Sequence, residues 1–393
     1  VFVARAVILY FFQWIRSRIS FSYEQKTRGD LYRLLLRMPW SYLVRQKVGF
    51  AENTIMVDVN MSTKLLLDLT NAILHFSSLA VYVVVVVAVN PLVATVTILS
   101  GAVLLYGFKP FLRRTRRFAG ENVQLNKTIA HDINESIIGL KTIKALGVGE
   151  ALIERSRSLF LALRELKIKQ ILARVTTTLA IQPASVLFIL AVFVFAFAQD
   201  NFNFTAFIVV VFLIQRIFIY VDRAQSLSHT ILEEIPYSKH VVTIRDELVS
   251  EPASTGGSAP FRFERALTFD HVTFSYDGRA NILTDVSFSV SRGTMLAIAG
   301  SSGSGKTTIV DLMLRLLSPS GGTITLDSVL IHDIALSKWH AQVGYVAQES
   351  FLLNDTILEN IRFYDSTISD EDITYAVKAT HLTGLIEKLP HGL

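Results

Sequence analysis

Long apolar stretches constrain this chain more than any other feature of its sequence. Four of them run over 72–89, 92–112, 179–198 and 204–221. Each approaches the length of about 20 residues that a helix needs to cross the ~30 Å hydrocarbon layer of a membrane. A fifth, over 1–15, is shorter, and we interpret it as the end of a longer span. Core helices of a large soluble protein are the alternative, but these runs lack the polar face that a surface helix keeps.

The basic residues give the orientation of these spans. The short connections at 90–91 and 199–203 contain no Lys or Arg, whereas the long connections contain many. Since positive charge is retained on the cytoplasmic side, both long connections and the part after Val221 are predicted to be cytoplasmic. The sequence thus predicts a multi-pass protein of a plasma or inner membrane, with the lipid bilayer as a partner. Although the net charge is +5, Lys and Arg flank apolar segments, so no nucleic-acid partner is expected.

The long connections are rich in helix-forming residues, so we expect the spans to continue as helices into the cytoplasm, with bends near 39–49 and 139–147. The chain has no Cys, which excludes disulfides, thiolate zinc sites and cysteine nucleophiles.

Several polar residues fall within or beside the spans. Arg5 and Arg216 are intramembrane charges, which often mark a substrate path, although Arg216 is close enough to the cytoplasmic end to extend its head group into water. Asp68, Asn71 and His75 share one helix face and could line a cavity or bond to a neighbouring helix. The sequence leaves the roles of these residues open.

A flexible polar stretch, SEPASTGGSAP, marks a domain boundary. It predicts a transmembrane domain over 1–249, a linker over 250–260 and a second domain over 261–393. The segments after the linker alternate in the manner of β-strands and then turn helical, which is typical of an α/β domain.

The second domain contains a P-loop pattern at Gly300–Thr307, between an apolar run predicted to be a buried strand and a predicted helix. Backbone amides and a helix N-terminus at such a loop surround phosphates, and a plain flexible Gly/Ser loop is the alternative. Lys306 is expected to reach the β- and γ-phosphates of ATP, and Thr307 to offer its hydroxyl to Mg²⁺. The predicted nucleotide-binding residues here are Gly300, Ser301, Ser302, Gly303, Ser304, Gly305, Lys306, Thr307 and Thr308.

Together these features resemble ABC transporters of the exporter type over nearly the whole chain. Tyr276, in TFSYDG, resembles the aromatic residue that stacks on adenine, and Gln348, after VGYVA, resembles the Q-loop glutamine that touches Mg²⁺ and the water. Lys306 and Gln348 are the catalytic residues that the resemblance implies. It also implies an all-α transmembrane domain, with the first helix missing and the second partial, followed by an incomplete α/β P-loop domain.

The resemblance further implies a half-transporter that uses ATP and Mg²⁺ and pairs with a second copy or a homologous half. Its cargo would be an unidentified lipid, peptide or drug-like substrate. The bends at Ser41–Val48 and Ile138–Leu146 resemble coupling helices that rest on nucleotide domains.

The sequence departs from the family after Gln348. No Leu-Ser-Gly-Gly-Gln signature, Asp-Glu strand or switch histidine follows, and neither His381 nor His391 stands in a switch context. We interpret this as truncation and expect the chain to bind ATP without hydrolysing it, with a sheet edge left unprotected. A non-transporting nucleotide-binding regulator or pseudogene product is one alternative, and a membrane-anchored P-loop kinase is another.

Overall fold

The computed structural model describes residues 2–46, 49–198, 204–250, 256–276, 280–348 and 351–389. The first part is helical, and a π-helical turn, Thr54–Asp58, leads into its fourth helix. The helices are α1 (Phe2–Arg37), α2 (Trp40–Leu43), α3 (Phe50–Asn53), α4 (Val59–Val89), α5 (Pro91–Gly107), α6 (Lys109–Ile138), α7 (Leu140–Leu146), α8 (Gly149–Phe197) and α9 (Phe204–Ser250).

The helices are interrupted near both predicted bends. The first contains α2 (Trp40–Leu43), and Gly49, before α3, has a φ of 77°. A Cβ on Gly49 would overlap Nδ2 of Asn134 unless that side chain moved, and the left-handed φ also favours glycine at this approach to α6. The second bend contains α7, which ends at Gly147 with a φ of 68°.

One predicted span is wrong as a single helix. The stretch 92–112 is divided between α5 and α6, with the break at Phe108. Pro110 explains the break, because it has no backbone N–H to continue the hydrogen-bond ladder of α5.

Two helical stretches in the described part of the chain are long and apolar enough to cross a membrane, Phe50–Val89 and Gly149–Phe197. Only 6% of the most apolar window of each is buried, so these are not core helices of a soluble protein. Pro91–Val103 is a shorter apolar helix. The spans predicted over 1–15 and 204–221 lie in α1 and α9 and stay predictions.

Helix α9 packs against neighbours along its whole length. Val86 of α4 and Ala94 of α5 join a core with Leu213, and Ile181 of α8 joins another with Ile214. A third core, nearer the end of α9, contains Leu31, Met38, Tyr42, Val59, Val241, Ile244 and Leu248.

The polar residues noted in the spans make local contacts. Asn71 Nδ2 donates to Asp68 Oδ1 over 3.2 Å on the same helix, and the ring of His75 lies 6.2 Å from that of Tyr220 on α9. Arg216 is exposed and lies over the ring of Phe212, with its Cζ 5.0 Å from the ring centroid. The side chain of Arg5 lies outside the described part of the structure.

The second part contains a four-stranded sheet in the order β2-β1-β3-β4. Ile282 N donates to Phe274 O at one end of the β1–β2 pair, and Arg292 N to Arg265 O at the other, so this pair is antiparallel. The elements are β1 (Ala266–Phe274), β2 (Leu283–Ser291), α10 (Lys306–Met313), β3 (Gly321–Leu326), β4 (Val329–Leu330), α11 (Leu336–His340), α12 (Ile357–Arg362), α13 (Asp370–Ala379) and α14 (Thr383–Ile386).

The buried strand predicted before the P-loop is not formed. Residues 294–300 belong to no strand, and the side chain of Met295 is 98% exposed. The segment before Gln348 behaves in the same way, with Val346 94% exposed. An apolar segment becomes a strand only when a neighbour completes its hydrogen bonds, and among the described residues no strand pairs with either segment.

The chain forms two compact units. The first contains 1–255, 271–286 and 298–322, and the second contains 256–270, 287–297 and 323–393. The domain limits expected from the sequence, 1–249, 250–260 and 261–393, stay a prediction.

Candidate nucleotide site

The loop 300–305 has a backbone that requires glycine. Gly303 has a φ of 80° and Gly305 a φ of 88°, a left-handed conformation that other residues adopt only with strain. A Cβ on Gly305 would lie 2.6 Å from Cδ2 of Leu283, and one on Gly300 would lie 2.6 Å from Oγ of Ser304. The glycines therefore allow both the left-handed backbone of the turn and its close packing against neighbouring atoms.

The positive groups of this loop converge at the start of α10. Lys306 Nζ donates to the carbonyl oxygens of Gly300 (3.0 Å) and Ser301 (2.7 Å), so its side chain lies across the loop. The free N–H groups of the first helical turn add the positive end of the helix dipole. A glycine loop, a lysine ammonium and a helix N-terminus in this arrangement fit a polyphosphate.

The two threonines after Lys306 differ in exposure. Thr307 is exposed in the first turn of α10, where its hydroxyl is accessible to a metal ion, whereas Thr308 is 6% exposed. Among the described residues no cluster of three or more His, Cys, Asp or Glu could hold a metal. At this loop a Mg²⁺ ion would bind the hydroxyl of Thr307 and the nucleotide's own phosphates.

Two further site residues were predicted outside this loop. Tyr276 is 38% exposed and meets Phe274 edge-on with ring centroids 4.9 Å apart. It belongs to the same compact unit as the P-loop, whereas Gln348 belongs to the other unit and is exposed. The roles of Tyr276 and Gln348 stay predictions.

Sequence reasoning missed a buried polar cluster around His229, which is 0% exposed. Thr115 Oγ1 lies 2.7 Å from its Nδ1 and Thr177 Oγ1 lies 2.9 Å from its Nε2, so the imidazole joins α6, α8 and α9. Burial, followed by the charge of Arg174, lowers the pKa of His229. Its partners are 114 and 52 positions away, and only the recurrence of polar residues every three or four positions on α9 could have indicated it.

A second buried group in α9 is Glu234, which is 7% exposed. Its Oε2 has no hydrogen-bond partner among the described residues. Burial, the charge of Asp68 and that of Glu233 raise its pKa to about 7, and Lys64 opposes them. This carboxyl group therefore titrates near neutral pH.

A helical part with exposed apolar windows and a phosphate-binding loop define a membrane protein that binds nucleotide. Family models support this: the ABC transporter transmembrane region matches residues 1–220, and the ABC transporter model matches residues 283–391. The chain therefore belongs to the ABC transporter family.

Individual relatives agree. The chain is 27% identical to an ATP-dependent lipid A-core flippase of Coxiella burnetii over 398 residues, covering 100% of this chain and 67% of the relative. It is 40% identical to the uncharacterized ABC transporter ATP-binding protein YwjA of Bacillus subtilis over 127 residues, covering 32% of this chain and 22% of that protein. The chain spans about two thirds of the length of the curated relatives that it matches throughout.

A solved structure of a bacterial Atm1-family ABC exporter with ATP bound has the same fold, with a TM-score of 0.79 at 20% identity. The match covers 98% of this chain and 68% of that one. The predicted architecture, a helical transmembrane domain followed by an α/β P-loop domain, is thus confirmed.

Proposed function

We propose that this chain acts as a half-transporter in the ATP-driven export of a substrate across a membrane. The observation that carries the proposal is the P-loop, with Lys306 folded over its carbonyls, in one chain with exposed apolar helices. The cargo class is a lipid, a peptide or a drug-like molecule. The flippase names of several relatives favour a lipid.

In this proposal the P-loop amides and Lys306 hold the phosphates of ATP, and Tyr276 stacks on the adenine. Thr307 and Gln348 are the protein ligands of Mg²⁺, which neutralises phosphate charge when it is bound. Gln348 also links the nucleotide to the membrane helices through the bends that contain α2 and α7.

The working assembly is two half-transporters, either two copies of this chain or this chain with a homologous partner. They sandwich ATP on the cytoplasmic side of a plasma or inner membrane. Support comes from the fold shared with an Atm1-family exporter and from the apolar helices, which need lipid around them.

The 393 residues by themselves are proposed to bind ATP without turning it over. Hydrolysis depends on a positioned water and stabilised charge, and the sequence contains no signature, Asp-Glu strand or switch histidine that would provide them. A fluorescent ATP analogue should bind this chain with no phosphate release. Steady phosphate release, lost in K306A, would contradict this part of the proposal.

The test of transport uses the full-length protein in liposomes. Lys306→Ala should reduce ATP-driven transport about a hundredfold or more, since the phosphates lose their cation. Lys338→Ala is the matched control, because Lys338 is an exposed lysine of α11 outside the loop. Undiminished transport by the Lys306 variant would overturn the proposal, and ATP binding without any transport by the unmodified protein would favour a regulator.

A further inference from the structure

A cavity of about 390 Å³ lies in the helical part, where the chain before α3 meets α6 and α9. Its volume has room for roughly a dozen water molecules. Four basic residues line it, Arg45, Lys127, His131 and His240, and no Asp or Glu is among the described residues that do.

Two polar atoms of the lining have no hydrogen-bond partner among the described residues. They are Oγ1 of Thr54, a residue 2% exposed, and Nδ1 of His131. A buried polar atom left unpaired costs about 1–3 kcal/mol, so such atoms usually face a ligand or ordered water. Both residues border the same cavity.

Two of the basic residues share one carboxylate. Asp58, 1% exposed, binds His240 through Oδ2 and Nδ1 at 2.6 Å and also attracts Lys127, so one buried carboxylate serves two basic groups. Burial lowers the pKa of Lys127 and Asp58 only partly opposes this. His131 Nε2 has its own acidic neighbour, Glu135, at 3.3 Å. An anion within the cavity would stabilise the charged form of Lys127.

The local backbone also suits a binding site. Thr54 and Asp58 are the two ends of the π-helical turn, and such turns recur at functional sites because they displace side chains from the regular helix. Gly49, which also lines the cavity, holds the bend against Asn134 of α6. A ligand here would therefore contact both the bend and the helices that lead into the membrane.

We infer that this cavity binds a phosphate-bearing anion, which fixes the position of the bend between α2 and α3. The phosphate could belong to a soluble molecule or to a lipid head group. Thr54 precedes the predicted span at 72–89 by 18 positions, or roughly 27 Å of helix, which favours the soluble source.

The experiment uses the whole chain in phosphatidylcholine nanodiscs, carrying Lys306→Ala so that the P-loop does not contribute. Inorganic pyrophosphate is titrated by calorimetry. We expect one site per chain, with affinity at least tenfold weaker in Lys127→Gln. Lys144→Gln, an exposed lysine of α7, is the matched control and should leave affinity unchanged.

A second variant separates binding from folding. Thr54→Val removes a hydroxyl that bonds to none of the described residues, so the melting temperature should hold or rise while the affinity for pyrophosphate falls several-fold. The inference is overturned if pyrophosphate fails to bind at millimolar concentration, or if the Lys127 and Lys144 variants bind equally well.

The source of the phosphate is then resolved by lipid composition. Repeating the titration in nanodiscs with phosphatidylglycerol should leave the affinity unchanged if the natural ligand is soluble. If phosphatidylglycerol competes with pyrophosphate in the chain that has Lys127 but not in the Lys127→Gln variant, the phosphate site is supported and its natural ligand is a lipid head group. Equal competition with and without the Lys127→Gln substitution would contradict the proposed site.

Discussion

The first half of helix α9 and the segment before the P-loop are both apolar, yet only α9 forms the secondary structure that its sequence predicts. Helix α9 continues from Phe204 to Ser250 across Pro236, whereas 294–300 forms no strand. A helix closes its hydrogen bonds within four residues of the same segment, whereas a strand depends on a neighbour that can be far away in sequence. A helix can thus be predicted from its own stretch of sequence, whereas a strand that needs a distant partner cannot.

Within the sheet the same contrast separates neighbouring segments. Val272 of β1 is 0% exposed, and Phe269 stacks on Phe288 with ring centroids 4.5 Å apart. Met295 lies only a few residues after the end of β2, and its side chain is almost wholly exposed. Apolar character alone therefore does not bury a residue in this part of the molecule.

The largest expected effect is in hydrogen exchange. Amides of 295–300 and 344–347 should exchange at least about a thousandfold faster than those in the centre of α9, because they have no ladder partners. Mass spectrometry of the chain in nanodiscs measures both. Slow exchange in 295–300 would erase the contrast between the two regions.

In the helical part, Asp58→Ala should lower stability by about 3 kcal/mol, because it removes the buried partner of His240, whose own side chain is 19% exposed. Asp30→Ala is the control, since Asp30 pairs with Arg33 on the surface at 3.0 Å and should cost below about 1 kcal/mol. Thermal unfolding in nanodiscs compares the two, and equal losses would refute a special role for the buried pair.

In the nucleotide part, Gly305→Ala should cost about 2–3 kcal/mol of nucleotide binding, through backbone strain and overlap with Leu283. Gly303→Ala has the same strain, with a φ of 80°, but its Cβ would meet no atom within 4 Å. Titration with a fluorescent ATP analogue should therefore give a much lower affinity for Gly305→Ala than for Gly303→Ala. The reverse order would show that overlap with Leu283 does not cause the loss of affinity.

Glu234 makes the helical part sensitive to pH. Its pKa is about 7 in the fold and 4.5 ordinarily, so the folded state binds the proton more tightly. The stability that Glu234 contributes should be fully present below pH 4.5, fall by about 2–3 kcal/mol as the pH rises to 7, and change little above that. Glu234→Gln should remove this slope and melt higher than the unmodified chain at pH 8; an unchanged pH profile would show that Glu234 is ionised in the fold.

The smallest effect concerns α13. Ser369 Oγ accepts from Asp372 N at 3.1 Å as an N-cap, so Ser369→Ala should destabilise this helix by about 1 kcal/mol. Faster exchange of amides in 370–379 would report it. Ser366→Ala, at an exposed serine that caps no helix, should leave the same amides unchanged.

The fold of the helical part was largely predictable, because apolar length, glycine and proline act locally. Both bends were expected from their glycines and Pro39, although Pro110 divides one predicted span. The P-loop was predictable because its residues are contiguous. The cluster around His229 and the cavity beside Lys127 were not, since each gathers side chains from helices distant in sequence.

Helix α9 has a mechanical consequence. Its 47 residues form a continuous helix about 70 Å long. A tilt of about 5° around its midpoint would displace each end by roughly 3 Å, comparable to the width of a water molecule. Small rotations at one end of such a rod become movements large enough to open or close a passage at the other.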